Sequence, residues 1–416
     1  MSAGTSASIE SKASWVVVCI SLAILSIAFG GPWIAVVSLK AIAAETGGAR
    51  SIPSFASSLA WFGAGLGGIG MGWLADRYGV RWTVMIGSSM IAVGFAVSVY
   101  GQELLGKALA LYIGHGVFIG LVGNAGLNAP LYVYVSRWFD RRRGSALALL
   151  AGGQYIAGAS WPPILERIID GYGWRQTMLM FAVFQVAIIV PLAFVFLKRP
   201  PEVPHPPVAV TAGAEKPTVL GWPPNLVFGL LMLAAYCCCV PMSMPQGHLV
   251  ALCTDLGILP SHGAAMLSVL LGTAFFSRQA WGWISDRIGG LMTVLIGSAW
   301  QFLAVVALTL TQDEVGLFTV SALFGLGFSG IIPAYALTAR ELFPAREAGW
   351  RIPLLLFCSG AGMASGSWFA GLLYDHFGYY APAFAAGLMF NAVNLLLIGT
   401  LVWRRSSPGG LRPAMA

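Results

Sequence analysis

The chain has 416 residues, of which 57% are hydrophobic and only 9% are charged. A soluble globular domain carries about 25% charged residues, so this composition excludes a water-soluble protein with one apolar core. Apolar stretches long enough to cross about 30 Å of hydrocarbon recur along the whole sequence. The composition predicts an all-α integral membrane protein.

The first apolar stretch, Trp15 to Leu39, is too long for the core of a signal peptide and is expected to be the first span. Taken in chain order, the apolar segments predict twelve transmembrane helices. The predicted spans are 15–39, 54–75, 82–101, 107–136, 145–169, 174–197, 222–252, 262–284, 291–311, 315–340, 350–373 and 379–403.

A segment between the sixth and seventh spans, residues 198–224, is rich in proline and polar residues and has no hydrophobic period. This pattern indicates a linker. We therefore expect an N-terminal six-helix bundle over residues 1–197 and a C-terminal six-helix bundle over residues 225–416.

The basic residues predict the orientation. Most of the 23 Lys and Arg fall on the side of the membrane that carries both termini and the linker. The residues expected on the other side are Lys40, Arg50, Lys107, Arg167 and Arg175. Because such an excess is typical of cytoplasmic loops, both termini and the linker are expected in the cytoplasm. The net charge of +7 is then explained by the membrane orientation of the chain and does not indicate a nucleic-acid partner.

One short motif occurs twice, as GWLADRYG at 72–79 and as GWISDRIG at 282–289, each between the second and third span of its half. A repeat of half the chain is typical of transporters that bind substrate between two bundles. The first copy, followed by Arg81, resembles the loop signature of the major facilitator superfamily; the second has Leu291 in place of that last basic residue. The acid and the base of each copy can form charge-assisted bonds that favour one of two states, so we expect a gating role. The predicted gating residues are Gly72, Asp76, Arg77, Gly282, Asp286 and Arg287.

The segment SRWFDRRRGSALALLAGG at 136–153 resembles the signature that monocarboxylate transporters carry before their fifth span. The resemblance implies the major facilitator fold, no cofactor, and a small monocarboxylate such as lactate or pyruvate moved with a proton across the plasma (inner) membrane by a functional monomer. Two positions depart from the family. The first span reads AFGGPWIAVV, without the family's acidic residue and lysine, and Ala274 stands where the animal proteins have an aspartate.

Arg278 is the predicted substrate anchor. It lies eight residues, or about 12 Å of helix, before Asp286 at the end of the eighth span. A charge at such depth costs about 2.5–3.5 kcal/mol and normally faces a cavity or a partner. Its planar fork can hold a carboxylate with two parallel bonds. The alternatives are snorkelling to the headgroups or a structural pair with another helix.

Further substrate contacts are expected from three spans. Tyr134 is preferred by the family resemblance. Asn128 and Tyr132 share one helical face, and Tyr134 lies on a different side of the helix. Tyr335, Cys358 and Ser359 are candidates on the tenth and eleventh spans. Membrane-interface anchoring or helix–helix hydrogen bonding is the alternative for each tyrosine and asparagine.

His248 and Asp255 are seven residues apart near the outer end of the seventh span and share one face of the helix. Histidine titrates near neutral pH, so the two are predicted to carry the coupled proton together with Arg278. The alternative is a pair of solvated residues at a helix end. His115 is expected only to donate a hydrogen bond between helices.

Two other functions remain as alternatives to proton-coupled uptake. A carboxylate exchanger of the oxalate/formate type would use Arg278 with a second intramembrane cation, and a membrane sensor would keep the fold without carrying flux. An enzyme is disfavoured, since the chain has no nucleophile elbow, P-loop or HExxH motif. The six cysteines, three of them consecutive at 237–239, lack the spacing of a metal site, so no metal is expected.

Overall fold

The computed structural model describes residues 10–198, 200 and 218–406. Nine helices within this part of the chain are long and apolar enough to cross a membrane. One of them, Arg143–Phe196, contains two of the predicted spans, because Gly173 interrupts it with a φ of 76°. Ser51–Tyr78 and Pro260–Ile288 are also long enough, although they are richer in glycine, serine and charged residues. Each of the twelve predicted spans therefore corresponds to helix.

We number the membrane helices α1 (Lys12–Val37), α2 (Ser51–Tyr78), α3 (Val80–Tyr100), α4 (Lys107–Ser136), α5 (143–172), α6 (174–196), α7 (Pro224–Asp255), α8 (Pro260–Ile288), α9 (Gly290–Leu310), α10 (Glu314–Leu342), α11 (Ala345–Phe377) and α12 (Ala381–Ser406). Helix α4 contains a π-helical stretch, Gly114–Asn124. Helix α10 is interrupted between Phe328 and Ile331.

The chain packs as two units. Unit 1 comprises the described residues of Met1–Ile42 and Leu59–Pro206, and unit 2 those of Ala43–Ser58 and Pro207–Ala416. The sequence assigned residues 43–58 to the N-terminal bundle, whereas the structure packs them in unit 2. The cause is a set of long-range polar contacts around Arg50 that no local pattern reveals. Most of the predicted linker, residues 201–217, lies outside the described residues.

Local sequence sets several helix boundaries. Ser11 forms a reciprocal capping box with Ser14 at the start of α1, and the Asp313 carboxylate accepts from Gly316 N at the start of α10. The turns between α2 and α3 and between α8 and α9 are made by Gly79 (φ 93°) and Gly289 (φ 82°). Only glycine adopts such backbone angles at no steric cost, which accounts for the last glycine of both motif copies.

Small residues allow the helices within each unit to approach closely. In unit 1, a Cβ at Gly67 of α2 would overlap the Leu121 carbonyl of α4. In unit 2, a Cβ at Gly325 of α10 would overlap the Leu270 carbonyl of α8. Packing of this kind is typical of membrane bundles, where no hydrophobic effect drives helices together.

The surface of the described residues carries many large apolar side chains. Ile69 is 82% exposed, Leu310 77% and Phe276 74%. Water-soluble monomers rarely show apolar surface on this scale, whereas lipid tails solvate it without cost. The structure is that of a helical membrane protein.

Candidate substrate and proton sites

Arg278 lies half-buried on α8, beside the interruption of α10. Its Nη1 donates to the carbonyl of Ser329 over a long 3.4 Å, and the neighbouring Ser277 hydroxyl lies 2.7 Å from the Ser329 hydroxyl. A break in a helix frees backbone carbonyls inside the membrane, and these polar groups are tolerated where they meet protein or line a cavity. Arg278 therefore lies next to the irregular backbone of α10.

Two other candidates in unit 2 are engaged in packing. Tyr335 is fully buried, and its hydroxyl donates to Asn394 Oδ1 at 2.6 Å. Ser359 is 2% exposed and donates to the Leu355 carbonyl one turn earlier. A buried hydroxyl needs an acceptor, and α12 and the helix backbone supply one here. These placements favour structural roles for both residues, and only Cys358 among the three is partly accessible.

The Tyr335 contact belongs to a buried polar chain. Asn394 Nδ2 donates to Asn391 Oδ1, and Asn391 Nδ2 donates to the Ser298 carbonyl, both at 3.2 Å. The chain links α10, α12 and α9 inside unit 2. A hydrogen-bonded network of this kind fixes one packing arrangement of the helices. The contacts of Tyr335, Asn394 and Asn391 therefore favour a structural role over ligand binding.

In unit 1, Tyr134 is 4% exposed and its hydroxyl donates to the Lys198 carbonyl at 2.7 Å. The preferred substrate contact of the sequence analysis thus holds the chain just after α6. Asn128 and Tyr132, one turn apart on α4, are half-buried. They follow the π-helical stretch, a feature that is frequent at functional sites in membrane and soluble helices.

Asp255 is paired with a residue that the sequence marked only as a topological charge. Arg50, 6% exposed, donates from Nη1 to Asp255 Oδ2 at 2.6 Å and from Nη2 to Oδ1 at 2.7 Å. Its Nη1 also donates to the Tyr380 hydroxyl at 2.8 Å, and its guanidinium stacks over the Tyr374 ring at 3.6 Å. We call Arg50, Asp255, Tyr374, Tyr380 and His248 the Arg50 cluster.

Asp375, which lies next to the Arg50 cluster, fixes the start of α2. The two carboxylate oxygens of Asp375 accept from the backbone N–H groups of Arg50 and Ser51, at 2.7 and 2.9 Å. A carboxylate at a helix N-terminus satisfies backbone donors that have no partner inside the helix. Residues 43–58 belong to unit 2 because of these bonds.

His248 is fully buried, and its partners determine its protonation. The Tyr380 hydroxyl accepts from Arg50, so its own proton points to His248 Nδ1 at 3.0 Å. The Ser367 carbonyl, 2.8 Å from Nε2, can only accept. These contacts are compatible with a neutral imidazole that carries its proton on Nε2, and Tyr380 and Arg50 connect this ring to Asp255.

Burial disfavours the charged guanidinium of Arg50, but the hydrogen bonds that it donates to Asp255 and Tyr380 outweigh this effect, so the pKa of Arg50 lies above its ordinary value. Arg50 is thus a permanent cation in the cluster. Sequence analysis named His248 and Asp255 as candidates but did not name Arg50 or Tyr380. Arg50 lies 205 residues from Asp255 and 330 residues from Tyr380 along the chain.

The two gating motifs differ in their contacts. In unit 1, Arg137 Nη2 donates to Asp76 Oδ1 at 2.7 Å, and Arg77 lies over the Trp73 ring. In unit 2, Asp286 is exposed and Arg287 stacks over Trp283 at 3.4 Å. A Cβ at Gly72 or at Gly282 would meet open space, so neither glycine is required for packing within its unit.

Near Gly289 a different acid takes part. Glu341 of α10 accepts from Gly290 N at 2.8 Å and from Arg405 of α12 at 3.0 Å.

His115 of α4 is buried, with Nδ1 3.1 Å from the Leu111 carbonyl of its own helix. Among the described residues, no group of three or more His, Cys, Asp and Glu is arranged to hold a metal ion.

The model of the Major Facilitator Superfamily matches residues 18–246 and 231–414. The chain belongs to this superfamily. It is 26% identical to Monocarboxylate transporter 13 of Bos taurus, over 78% of this chain and 74% of that protein. It is 23% identical to an uncharacterised MFS-type transporter, YcxA, of Bacillus subtilis, over 84% of this chain and 85% of that protein. The protein is a membrane transporter similar to the monocarboxylate transporter family, and it is not an enzyme.

Solved structures agree on the fold. A bacterial homologue of the human lysosomal transporter Spinster, in an inward-facing and unoccupied conformation, superposes with a TM-score of 0.72 at 15% identity, over 96% of this chain and 100% of that one. A D-xylose–proton symporter superposes with a TM-score of 0.67 at 14% identity, over 93% and 97%. Identities this low support the shared major facilitator fold alone.

Proposed function

We propose that this transporter moves a small monocarboxylate, such as lactate or pyruvate, across the plasma (inner) membrane together with a proton. Both termini face the cytoplasm in this proposal, and a monomer alternates access to one site. The observation that carries the substrate class is Arg278. It is a guanidinium at membrane depth, beside the broken backbone of α10, in a chain whose relatives include monocarboxylate transporters.

The substrate part of the proposal follows from charge. A carboxylate that enters a low-dielectric cavity needs a positive partner, and a guanidinium offers two parallel donors to its two oxygens. Asn128, Tyr132 and Cys358 are partly accessible and are the remaining candidates for polar contact. Tyr134, Tyr335 and Ser359 are weaker candidates, because their hydroxyls already have partners.

The proton part rests on the Arg50 cluster. Protonation of Asp255 would remove the only carboxylate that the described residues place on the Arg50 guanidinium, and an unpaired buried cation is costly. Protonation of His248 would put a second positive charge next to Arg50 through Tyr380. Either event opposes the packing of residues 43–58 on α7 and α11. The cluster can thus couple proton uptake to a conformational change, while Arg278 neutralises the negative charge of the substrate.

The test is uptake of labelled mono- and dicarboxylates into proteoliposomes, under an imposed pH gradient or an imposed potential. A carboxylate that moves with one proton transfers no net charge, so uptake should follow the pH gradient and ignore the potential. Arg278→Lys should retain weak uptake, and Arg278→Ala should lower it by about 10- to 100-fold or more, since each hydrogen bond to a charged group contributes about 1.5–3 kcal/mol. Arg340→Ala, which removes an exposed cation at the end of α10, is the matched control.

Normal carboxylate uptake by Arg278→Ala would end the substrate proposal. Asp255→Asn and His248→Ala should each flatten the pH dependence. Uptake that requires a carboxylate inside the liposomes and ignores the pH gradient would instead favour the exchanger. Binding without flux under every condition would favour the sensor.

A further inference from the structure

Unit 1 has a cavity at the end of the bundle that carries its loop motif. The cavity measures about 660 Å³ and lies between the start of α3, the end of α4 and the chain that follows α6. Four basic residues line it, Arg77, Arg81, Arg137 and Lys198, and Asp76 is the one acid among its described lining residues. The cavity therefore holds a net excess of positive charge that the substrate and proton sites do not use.

The donors in the cavity are partly uncommitted. Arg81 donates from Nε to the Leu197 carbonyl at 3.3 Å, which leaves its two terminal amino groups without a hydrogen bond to any described residue. The same guanidinium lies over the Phe194 ring at 5.2 Å, so its fork is held in a fixed orientation. A pre-oriented guanidinium fork matches the oxygens of a phosphate better than an ammonium does.

Arg137 can also change partner at low cost. Its bond to Asp76 joins side chains that are 45% and 63% exposed. Exposed ion pairs contribute little to stability, because water competes for both groups. An anion with more charge than one carboxylate could therefore recruit Arg137.

Aromatic side chains set the depth of the cavity. Tyr78 and Trp82, which line it, are 56% and 51% exposed. Phe194 on α6, whose ring faces the Arg81 guanidinium, is 55% exposed. Tyrosine and tryptophan rings with apolar bodies and polar edges concentrate at the headgroup level of a bilayer, with fully apolar rings deeper. The cavity mouth is thus at the level of lipid phosphates, with lipid-facing rings beside it for the acyl chains.

We propose that this cavity binds the phosphodiester headgroup of an anionic phospholipid, with Arg81 and Lys198 as the principal contacts and Arg137 joining them. Basic pockets at the ends of membrane helices are a recurring mode of anionic headgroup binding. Neither Arg278 nor any residue of the Arg50 cluster lines the cavity, so the proposal does not depend on the identity of the transported substrate.

Native mass spectrometry of the full-length, detergent-purified protein tests the proposal. The probes are dioleoylphosphatidylglycerol, an anionic phosphodiester lipid, and dioleoylphosphatidylcholine, whose headgroup is net neutral. The first phosphatidylglycerol should bind at least about tenfold more weakly to Arg81→Gln/Lys198→Gln than to the wild type. Phosphatidylcholine binding should not change.

Arg141→Gln/Arg142→Gln is the matched control. It removes the same charge from exposed residues at the same end of unit 1, outside the cavity, and should weaken the first binding event by no more than about twofold. Arg81→Lys/Lys198→Arg keeps the charge and should retain most of the affinity, which separates loss of binding from loss of folding.

Three results would overturn the proposal. The first is equal affinity of the wild type for the two lipids. The second is equal weakening of phosphatidylglycerol binding by the cavity variant and by its control. The third is displacement of the first lipid by glycerol 3-phosphate at comparable concentration, which would assign the cavity to a soluble phosphate. Failure of glycerol 3-phosphate to displace the lipid supports the lipid as the source.

Discussion

Two ion pairs of this transporter join residues far apart in sequence, in very different surroundings. The side chains of Arg50 and Asp255 in unit 2 are 7% and 23% exposed, while those of Arg137 and Asp76 in unit 1 are 45% and 63% exposed. If one partner of the first pair is lost, a buried charge remains without compensation. If one partner of the second is lost, water replaces it. The first pair therefore holds structure together, and the second is free to exchange partners.

The loop of unit 2 lies between these extremes. Its pair of Arg405 and Glu341 is 33% and 24% exposed, and Glu341 also accepts from Gly290 N. Both units tie the first turn of the helix after the motif to the last helix of the unit. Unit 1 uses Arg81, which reaches the Leu197 carbonyl, whereas Leu291 replaces that base in unit 2 and is buried. The sequence repeat thus preserves the turn but not the charges that anchor it.

The largest effect is expected at the Arg50 cluster. Asp255→Asn should lower the free energy of unfolding by about 3 kcal/mol, because it leaves the Arg50 guanidinium buried with neutral partners. Unfolding in mixed micelles, followed by circular dichroism during titration with dodecyl sulfate, measures this loss. Arg50→Met/Asp255→Leu, which removes both charges, should lose less than the single variant. A single variant as stable as the wild type would contradict the difference between the two pairs.

The pH dependence of this pair has a defined sign. The pKa of Arg50 is raised in the folded state, so the stability that its charge contributes is present below the ordinary pKa of arginine and is lost only as the pH rises through the raised value. Between pH 5 and 9 the guanidinium should not titrate. Stability and uptake are compared between the wild type and the variants over that pH range. If Asp255→Asn or His248→Ala abolishes a pH-dependent change, the titrating group is a partner of Arg50 and not Arg50 itself.

An intermediate effect is expected at Glu341. Glu341→Ala removes the acceptor of Gly290 N and the partner of Arg405, and should lower the free energy of unfolding by about 1–2 kcal/mol. Glu314→Ala is the control, since the Glu314 carboxylate lies 2.8 Å from His262 Nδ1 and both side chains are 44% exposed. The same titration measures both variants. An equal loss of unfolding free energy in both would contradict a larger structural contribution from Glu341.

The smallest effect on stability is expected at the loop of unit 1. Asp76→Asn should change the free energy of unfolding by less than about 1 kcal/mol, since the pair is exposed. Under the gating hypothesis, both Asp76→Asn and Asp286→Asn should slow uptake while substrate affinity stays near the wild-type value. Equilibrium binding measured beside initial uptake rates separates the two effects. A loss of affinity as large as the loss of rate would contradict gating.

Sequence reasoning reached the helices because it depends on short-range signals. A run of apolar residues that spans the hydrocarbon must be helical, since no other local structure satisfies its own backbone in lipid. The repeated motif and the 136–153 segment likewise identified the superfamily and the resemblance to monocarboxylate transporters, which the family model and the relatives confirm. The linker after α6 stays a prediction, and the described residues of 43–58 pack in unit 2 and not in unit 1.

The side-chain roles were harder to predict for a physical reason. Tyr335 and Tyr134 are polar residues on membrane helices, and sequence cannot distinguish a hydroxyl that faces a cavity from one that finds an acceptor on another helix. The structure supplies Asn394 for the first and the Lys198 carbonyl for the second. His248 and Asp255 were found because their spacing placed them on one face. Their connection through Tyr380 needed the turn between α11 and α12.

The amino-acid sequence by itself determined that this is a membrane protein, how many membrane helices it has and which family it belongs to. These properties depend on the length of apolar runs and on glycine turns, which are read from short stretches of sequence. Tertiary structure alone decided which charges meet. Arg50 became a buried cation because Asp255, Tyr380 and Asp375 converge on it from three helix ends. Arg81 and Lys198 share a cavity because α3 and the end of α6 lie side by side. Coulomb and hydrogen-bond energies depend on distance in space and on burial, and neither can be read from separation along the chain.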